Sequence, residues 1–455
     1  MPPTTFQPPQ PLPLLGRAPE PAPGAEAPAY FVWTVGCQMN TADSERLSAA
    51  LDGAGLRQAR RPQEADVVVL NSCVVRQNAE DKVVGMLTSL KPWREARPGR
   101  TLALMGCMVG PKKDGLRRTY PYVDAFMQPQ DFQPLIDLLG ERLGIDAEGC
   151  VGPFVPGNPS VTTHVPIIHG CDKFCTFCII PYRRGREVSR PVDELVRECA
   201  MLAARGVKEV TLLGQNVDSY GHDLPGAPDL ADLLEAVHDG VPELARIRFL
   251  TSHPNDMSDR IIGAVARLPR VMENVNLPFQ AGNDEVLARM KRGYTNAGYR
   301  ALVARIRENV PGVAMVTDLI VGFPGETEAQ FEDTLAMVRD LRFDKVHAAA
   351  YSTRPNTYAQ RRYDDDVRAD EKRRRLKAIE AAQEVILAEA NAALVGSTQE
   401  VLADGRKNGR WQGRTRTGKL VSFDVGGAEP QGGLLGQLVS VCITAASPWS
   451  LQGAA

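Results

Sequence analysis

Gly170-Cys171-Asp172-Lys173-Phe174-Cys175-Thr176-Phe177-Cys178 places three cysteines in a C-x3-C-x2-C run. Thiolates are soft ligands that suit iron–sulfur clusters. A cubane held by three of them keeps one iron without a protein ligand, and an open metal position can bind a reactant. Two plainer readings compete. One is a zinc knuckle with His169 as the near fourth ligand, and the other is a set of buried free thiols. Cys37, Cys73 and Cys107 form a second, looser set, spaced 36 and 34 residues apart. Such spacing carries no meaning alone, since unrelated core cysteines are the default.

The elements that carry these residues change that judgement. Tyr30–Val35, Val67–Leu70 and Thr101–Met105 read as short strands, with an amphipathic helix over 43–51. Alternating strands and helices predict a parallel α/β sheet, whose strand C-termini line one ligand-binding edge. A cysteine follows each strand, so three distant thiols can converge there. A second series, Val165–His169, Glu209–Leu213, Arg246–Thr251, Glu273–Leu277, Val313–Val321 and Lys345–Tyr351, alternates with helices such as Val192–Ala204 and Asp284–Met290. It predicts a partial or complete β/α barrel, with a doubly wound open sheet as the competitor. Polar or glycine residues end most of these strands: Gly214-Gln215-Asn216, Ser252-His253, Gln280 and Gly322. Residues 367–394 read as one long charged helix. Gln399–Ala403, Leu420–Phe423 and Leu438–Ile443 read as a small β-barrel or sandwich. The implied organisation is a proline-rich disordered extension (1–28), an α/β domain (29–150), a central barrel (157–390) and a small all-β domain (391–455). A Pro/Gly-rich linker covers 151–160.

Composition removes several classes of function. The 455 residues carry 53 Lys+Arg against 55 Asp+Glu, a net charge of −2. Nucleic-acid binding therefore needs a local basic patch. Nine cysteines are too few for a disulfide scaffold. No apolar run approaches the ~18 residues of a membrane span, and no signal peptide is read at the start. A cytoplasmic protein is expected, where clustered cysteines serve metals or catalysis. Arg406, Lys407, Arg410, Arg414, Arg416 and Lys419 form a basic run around Trp411. It reads either as phosphate neutralisation with base stacking or as a solvated basic face. Arg183, Arg184, Arg186 and Arg190 form a second set, placed to guide RNA or to pair with carboxylates such as Glu187. Lys372 to Arg375 reads as a helix surface. Cys199 and Cys442 read as packing residues, and Cys150 stays unassigned.

The C-x3-C-x2-C run resembles the signature of radical S-adenosylmethionine enzymes. Gly36-Cys37-Gln38-Met39-Asn40 with Asp43-Ser44-Glu45, Asn71-Ser72-Cys73-Val74-Val75-Arg76 with Ala79-Glu80, and Gly106-Cys107-Met108 resemble the N-terminal domain of methylthiotransferases. Further resembling blocks are Glu209 to Val217, Thr251 to Pro254, Asp318 to Thr327 and Tyr351 to Pro355, so the likeness spans nearly all of 30–445. Three positions depart from it: Ser72 for Thr, Phe279 to Asn283 for a Val-Gln-Ser-Gly-Ser run, and Asn356 for Gly.

The resemblance implies two 4Fe–4S clusters, one on Cys171, Cys175 and Cys178 and an auxiliary one on Cys37, Cys73 and Cys107. It implies S-adenosylmethionine on the open iron, near Phe177, Gly214, Gln215 and Asn216. It also implies that the C-terminal basic segment is a TRAM RNA-binding domain. The expected reaction is methylthiolation at C2 of N6-isopentenyladenosine beside the tRNA anticodon. One S-adenosylmethionine methylates a sulfur on the auxiliary cluster, and a second supplies the radical that attacks C2. An electron donor, a sulfur donor and a monomeric enzyme complete the expectation. Within the family the alternatives are threonylcarbamoyl-adenosine in tRNA and a ribosomal-protein aspartate. Outside it, the alternative is a non-catalytic iron–sulfur protein that binds RNA and senses redox state.

Overall fold

Val67–Ser72 and Thr101–Gly106 are buried along their whole length, as expected of central strands in a sheet covered on both faces. The computed structural model describes residues 27–74, 77–110, 112–129, 131–144, 155, 159–426 and 432–455. Nearly all of the proline-rich extension, Val75, Arg76, Cys150 and most of the 151–160 linker lie outside the described residues. The first sheet holds β1 (Ala29–Thr34), β2 (Arg57–Gln58), β3 (Val67–Ser72), β4 (Thr101–Gly106) and β5 (Ala125–Met127). Its order is β2-β1-β3-β4-β5 and every pairing is parallel. One apolar cluster lies around Leu70, Leu87 and Leu104, and a second around Leu47, Val69 and Leu135. Alternate residues of β3 supply the two clusters, as the pleat requires.

The central unit begins with β6 (Thr162–Pro166), followed by a short antiparallel pair, β7 (Ile168–His169) and β8 (Val188–Ser189). Five more strands, β9 (Glu209–Leu213), β10 (Arg246–Leu250), β11 (Asn274–Asn276), β12 (Ala314–Val321) and β13 (Lys345–Ala350), complete the series. Two three-stranded parallel sheets, β6-β9-β10 and β11-β12-β13, meet at a bridge between Ile247 and Val271. Among the described residues no ladder joins β13 back to β6. The result is a partial β/α barrel rather than an open doubly wound sheet. The expected strand at Val165–His169 is shifted: the barrel strand is Thr162–Pro166, and Ile168–His169 instead opens the cysteine loop.

Helix Gln38–Gly53, which starts directly after Cys37, packs across β6. Its Met39 and Ala42 join Leu213 and Leu250 at the barrel edge. Helix Ala369–Ala392 lies along β13 and reaches the C-terminal strands. Those strands, β14 (Thr398–Lys407), β15 (Arg410–Thr415), β16 (Leu420–Asp424), β17 (Leu438–Ala446) and β18 (Leu451–Ala454), close into a small barrel of order β14-β15-β16-β18-β17. No helix of the described residues is long and apolar enough to cross a membrane.

Candidate functional site

Cys37, Cys73 and Cys107 stand past the C-terminal ends of β1, β3 and β4. A buried hydrogen-bond frame holds them there. The Asn40 amide donates to Asn71 Oδ1 at 2.9 Å and to the Ser72 carbonyl at 3.0 Å. Asn71 Nδ2 returns bonds to the Asn40 carbonyl at 2.7 Å and Ser44 Oγ at 2.8 Å. The Cys37 amide donates to Asn40 Oδ1 at 3.4 Å, and the Cys107 amide to the Ser72 carbonyl at 2.9 Å. Ser72 keeps the hydroxyl of the family's Thr: its Oγ donates to the Met105 carbonyl and accepts from the Met108 amide. Gly106 sits at φ +98°, and a Cβ there would strike Asn71 Oδ1 and the Ser72 carbonyl. A Cβ on Gly36 would come within 2.9 Å of Cys73 Cβ, which shows how tightly the first and second cysteines are set. Burial pushes the Cys107 thiol up to about 11, with Cys73 and Cys37 adding to the rise and Arg184 opposing it. Three thiols that oppose one another's ionisation are a fitting cage for a cationic iron core, which would deprotonate them.

The second triad comes from one loop, bracketed by β7 and β8. The Cys171 amide bonds the Gly185 carbonyl at 3.2 Å. Asp172 and Glu187 exchange amide-to-carboxylate bonds at 3.2 and 3.3 Å. Gly170 lies at φ +73°, where a Cβ would collide with the Arg186 carbonyl. Burial raises the Cys171 thiol to about 11 and the Cys178 thiol to about 12, and Cys175 raises both further. The buried Arg292 donates from Nη1 to Cys175 Sγ at 3.1 Å. Nothing in the C-x3-C-x2-C spacing announces that partner. His169 lies beside the loop with its imidazole pushed down to about 3 by burial and by Arg46, Arg190 and Arg184.

The barrel rim next to this loop is polar and incompletely satisfied. Lys173 Nζ bonds Asp256 at 2.6 Å, and Asn216 Nδ2 donates to Asp256 Oδ2 at 2.6 Å, so one carboxylate ties the cysteine loop to the end of β9. Gln215 Oε1, Asn216 Oδ1, His253 Nε2 and Asn276 Oδ1 are buried without a hydrogen-bond partner. Buried polar atoms of this kind call for a ligand or water. Gly214 admits no side chain, because a Cβ would lie 2.5 Å from Ile168 Cγ2. Burial, then Arg292 and Lys173, push the His253 imidazole down to about 2, so it stays neutral. Asp218 accepts from Ser252 Oγ at 2.8 Å and the His253 amide at 3.0 Å. Phe177 packs with Phe323, Tyr351 and Met290 beside the thiols. The other departures are conservative in effect. Asn283 caps helix Asp284–Met290 as a Ser can, and Asn356 adopts φ +72°, which Asn tolerates better than most residues.

Sequence models agree with this division of the chain. The radical SAM superfamily matches residues 165–338, uncharacterized protein family UPF0004 matches 29–128, and the TRAM domain matches 392–455. A tRNA-2-methylthio-N(6)-dimethylallyladenosine synthase of Roseiflexus is 50% identical over 428 residues, covering 93% of this chain and 89% of the relative. This chain belongs to the tRNA-2-methylthio-N(6)-dimethylallyladenosine synthase family. A member from Dictyoglomus thermophilum, 42% identical, covers 94% of this chain and 98% of its own. Among solved structures, the radical S-adenosylmethionine methyltransferase TsrM of Kitasatospora setae shares the fold. The two superpose with a TM-score of 0.53 at 14% identity over 74% of each chain.

In this member of the tRNA-2-methylthio-N(6)-dimethylallyladenosine synthase family, the basic residues of the TRAM segment part into three groups. Arg406 and Lys407 are exposed near the end of β14. Arg414 is exposed and Arg410 pairs with Asp424 at 2.9 Å. Arg416 instead forks onto Glu273 at 2.9 and 2.6 Å, and Lys419 bonds Asn391 Oδ1 at 2.9 Å and pairs with Asp344 at 3.4 Å. Those two fasten the small barrel to the large one. The fully buried Arg246 does the same through the Arg414 carbonyl and Glu400. Trp411, expected to stack on a base, is packed in the small barrel's core beneath the Arg406 guanidinium, 4.8 Å from its ring centroid. It offers no open face, because strand alternation turns Trp411 inward and Gln412 outward.

Trp449, which the basic-run reading passed over, is 62% exposed. It borders a cavity of about 650 Å³ that runs from Gln38, beside Cys37, past Thr211, Arg248 and Asn276 to Arg414 and Lys419. The second basic set also disperses. Arg186 pairs with Asp172, Arg190 is buried on Glu194 and Glu198, and Arg184 turns inward towards the first sheet.

Proposed function

We propose that the chain methylthiolates C2 of N6-isopentenyladenosine beside the tRNA anticodon, giving 2-methylthio-N6-isopentenyladenosine. The observation that carries this reading is the presence of two separate three-thiol sites in a chain half identical to a synthase of that name. Ordinary side chains cannot break an aromatic C–H bond, so two 4Fe–4S clusters and S-adenosylmethionine would supply the radical, the sulfur and the methyl group. Cys171, Cys175 and Cys178 would hold one cluster, and Cys37, Cys73 and Cys107 the other.

The chain's own residues do the positioning. The link Lys173–Asp256–Asn216 fixes the cysteine loop against the barrel rim. Gln215 Oε1, Asn216 Oδ1 and His253 Nε2 present unsatisfied polar atoms to a ligand at that rim. The neutral His253, whose Nδ1 already accepts from the Asn255 amide at 3.2 Å, can donate there through Nε2–H but adds no charge. The cavity of about 650 Å³ lies within the ~300–1,000 Å³ usual for ligand pockets. Its mouth carries Arg414 for a phosphate and Trp449 for an unstacked base. Arg406 and Lys407 extend the positive surface. A sulfur donor and an electron donor complete the reaction, with the enzyme acting as a monomer.

The test is nucleoside mass spectrometry after anaerobic incubation with S-adenosylmethionine, reductant and isopentenylated tRNA. A nucleoside heavier by a methylthio group in place of hydrogen is expected. Abundant 5′-deoxyadenosine without that product would overturn the substrate assignment and keep the radical chemistry.

A further inference from the structure

Arg184 leaves the loop triad and enters the other one. It ends the short helix Ile180–Arg184, a few residues after Cys178. Its Nε donates to Cys107 Sγ at 3.3 Å, and its Nη2 pairs with Asp43 Oδ2 at 3.0 Å. The Arg184 and Asp43 side chains are 2% and 0% exposed. Asp43 belongs to the helix that begins after Cys37, so the guanidinium is clamped between two parts of the first sheet's thiol site. Its neighbour Arg183 crosses the same boundary, since a Cβ on Gly110 would lie 2.5 Å from Arg183 Nη1. Arginine stays charged at any working pH. A buried, permanently positive donor aimed at one thiol of a ligand set is more than a packing contact.

We propose that Arg184 is a positioning residue that sets the reduction potential of the cluster held by Cys37, Cys73 and Cys107, with Asp43 tempering its effect. The inference rests on the auxiliary-cluster reading above. A donor to a ligating sulfur withdraws electron density from the metal, and a nearby positive charge favours the more negative, reduced cluster. Both effects raise the potential. The Asp43 carboxylate, 3.0 Å from the guanidinium, offsets part of that charge. The same side chain fixes the first sheet against the loop that holds the second triad.

The test uses the full chain with Cys171→Ala, Cys175→Ala and Cys178→Ala, so that one triad alone can hold a cluster. Iron and labile sulfide are counted after anaerobic reconstitution, and the potential is read by a redox titration followed by electron paramagnetic resonance. At equal iron content, Arg184→Gln is expected to move the potential to more negative values. Arg184→Lys restores part of the shift, and Asp43→Asn moves the potential the opposite way. Unchanged potentials, or shifts of one sign in the Arg184→Gln and Asp43→Asn variants, overturn the proposal. If Arg184→Gln binds no iron, Asp43→Asn decides: a positive shift supports the assignment and no shift overturns it. Absence of iron from the parent with Arg184 intact defeats the auxiliary-cluster reading itself, and this proposal with it.

Discussion

Cys171, Cys175 and Cys178 come from one loop, whereas Cys37, Cys73 and Cys107 come from three strand ends that only a folded sheet assembles. Each triad receives a hydrogen bond from a buried guanidinium, Arg292 on Cys175 and Arg184 on Cys107. Their surroundings differ. Arg184 shares its charge with Asp43. Arg292 meets the Tyr294 hydroxyl at 3.0 Å and the Pro278 carbonyl at 3.3 Å, and among the described residues it has no carboxylate partner. The guanidinium beside Cys175 therefore stands without an ion-pair partner among the described residues, and the one beside Cys107 is partly neutralised. Electrostatics can thus distinguish two sites whose ligand sets are identical in type and number.

The largest expected effect separates the two triads by function. Cys171→Ala abolishes 5′-deoxyadenosine formation, while Cys37→Ala retains some and makes no methylthiolated nucleoside. Anaerobic product analysis checks both, and methylthiolation by the Cys37 variant would remove the sheet triad from the reaction. Next in size is the substrate route that both triads share. Trp411→Ala costs about 3–5 kcal/mol of stability by emptying the small barrel's core. Trp449→Ala leaves the unfolding curve in place and weakens tRNA binding by ~1–3 kcal/mol, the scale of one lost base stack. Thermal unfolding and a binding titration on both variants test the pair, and equal tRNA affinity for Trp449→Ala and the parent would exclude it as a contact.

A smaller effect probes how the sheet triad is built. Gly106→Ala forces a side chain into a left-handed position against the Asn71 amide and Ser72 carbonyl. A loss of at least ~1–3 kcal/mol is expected, with iron leaving the sheet triad before the loop triad. Selective retention at the sheet triad would show that the frame can relax.

A pH slope is expected near the loop triad. Burial raises the Asp218 carboxyl to about 7, against ~4 in the unfolded chain. Between those values the folded chain keeps a proton that the unfolded chain has released. Stability therefore falls as pH rises through that window and levels off above it. Asp218→Asn flattens the fall, which urea titrations at about pH 5 and about pH 8 would register. Asp43, the buried carboxylate of the sheet triad, is ion-paired instead.

Much of this arrangement was legible as pattern. β9 and helices Val192–Ala204 and Asp284–Met290 fall on the predicted residues, because apolar periodicity and end signals act locally. β15 escaped because its alternation, Trp411 in and Gln412 out, was hidden inside a run of cations. The basic residues themselves looked equivalent. Their separation into exposed Arg406 and Lys407 and interface-bound Arg416 and Lys419 depends on Glu273, Asp344 and Asn391, far away in the chain.

By itself the sequence determined the two cysteine sets, the parallel strands that end in them and the small β unit at the C-terminus. Those features follow from side-chain type and from periods of two and 3.6 residues. Only the tertiary structure decided which charge serves which thiol. A guanidinium reaching across 77 residues to Cys107, or 117 to Cys175, obeys no local spacing. It is fixed by how sheet and barrel pack, which also decides whether an arginine is neutralised by a neighbour or left with its full charge beside a ligand.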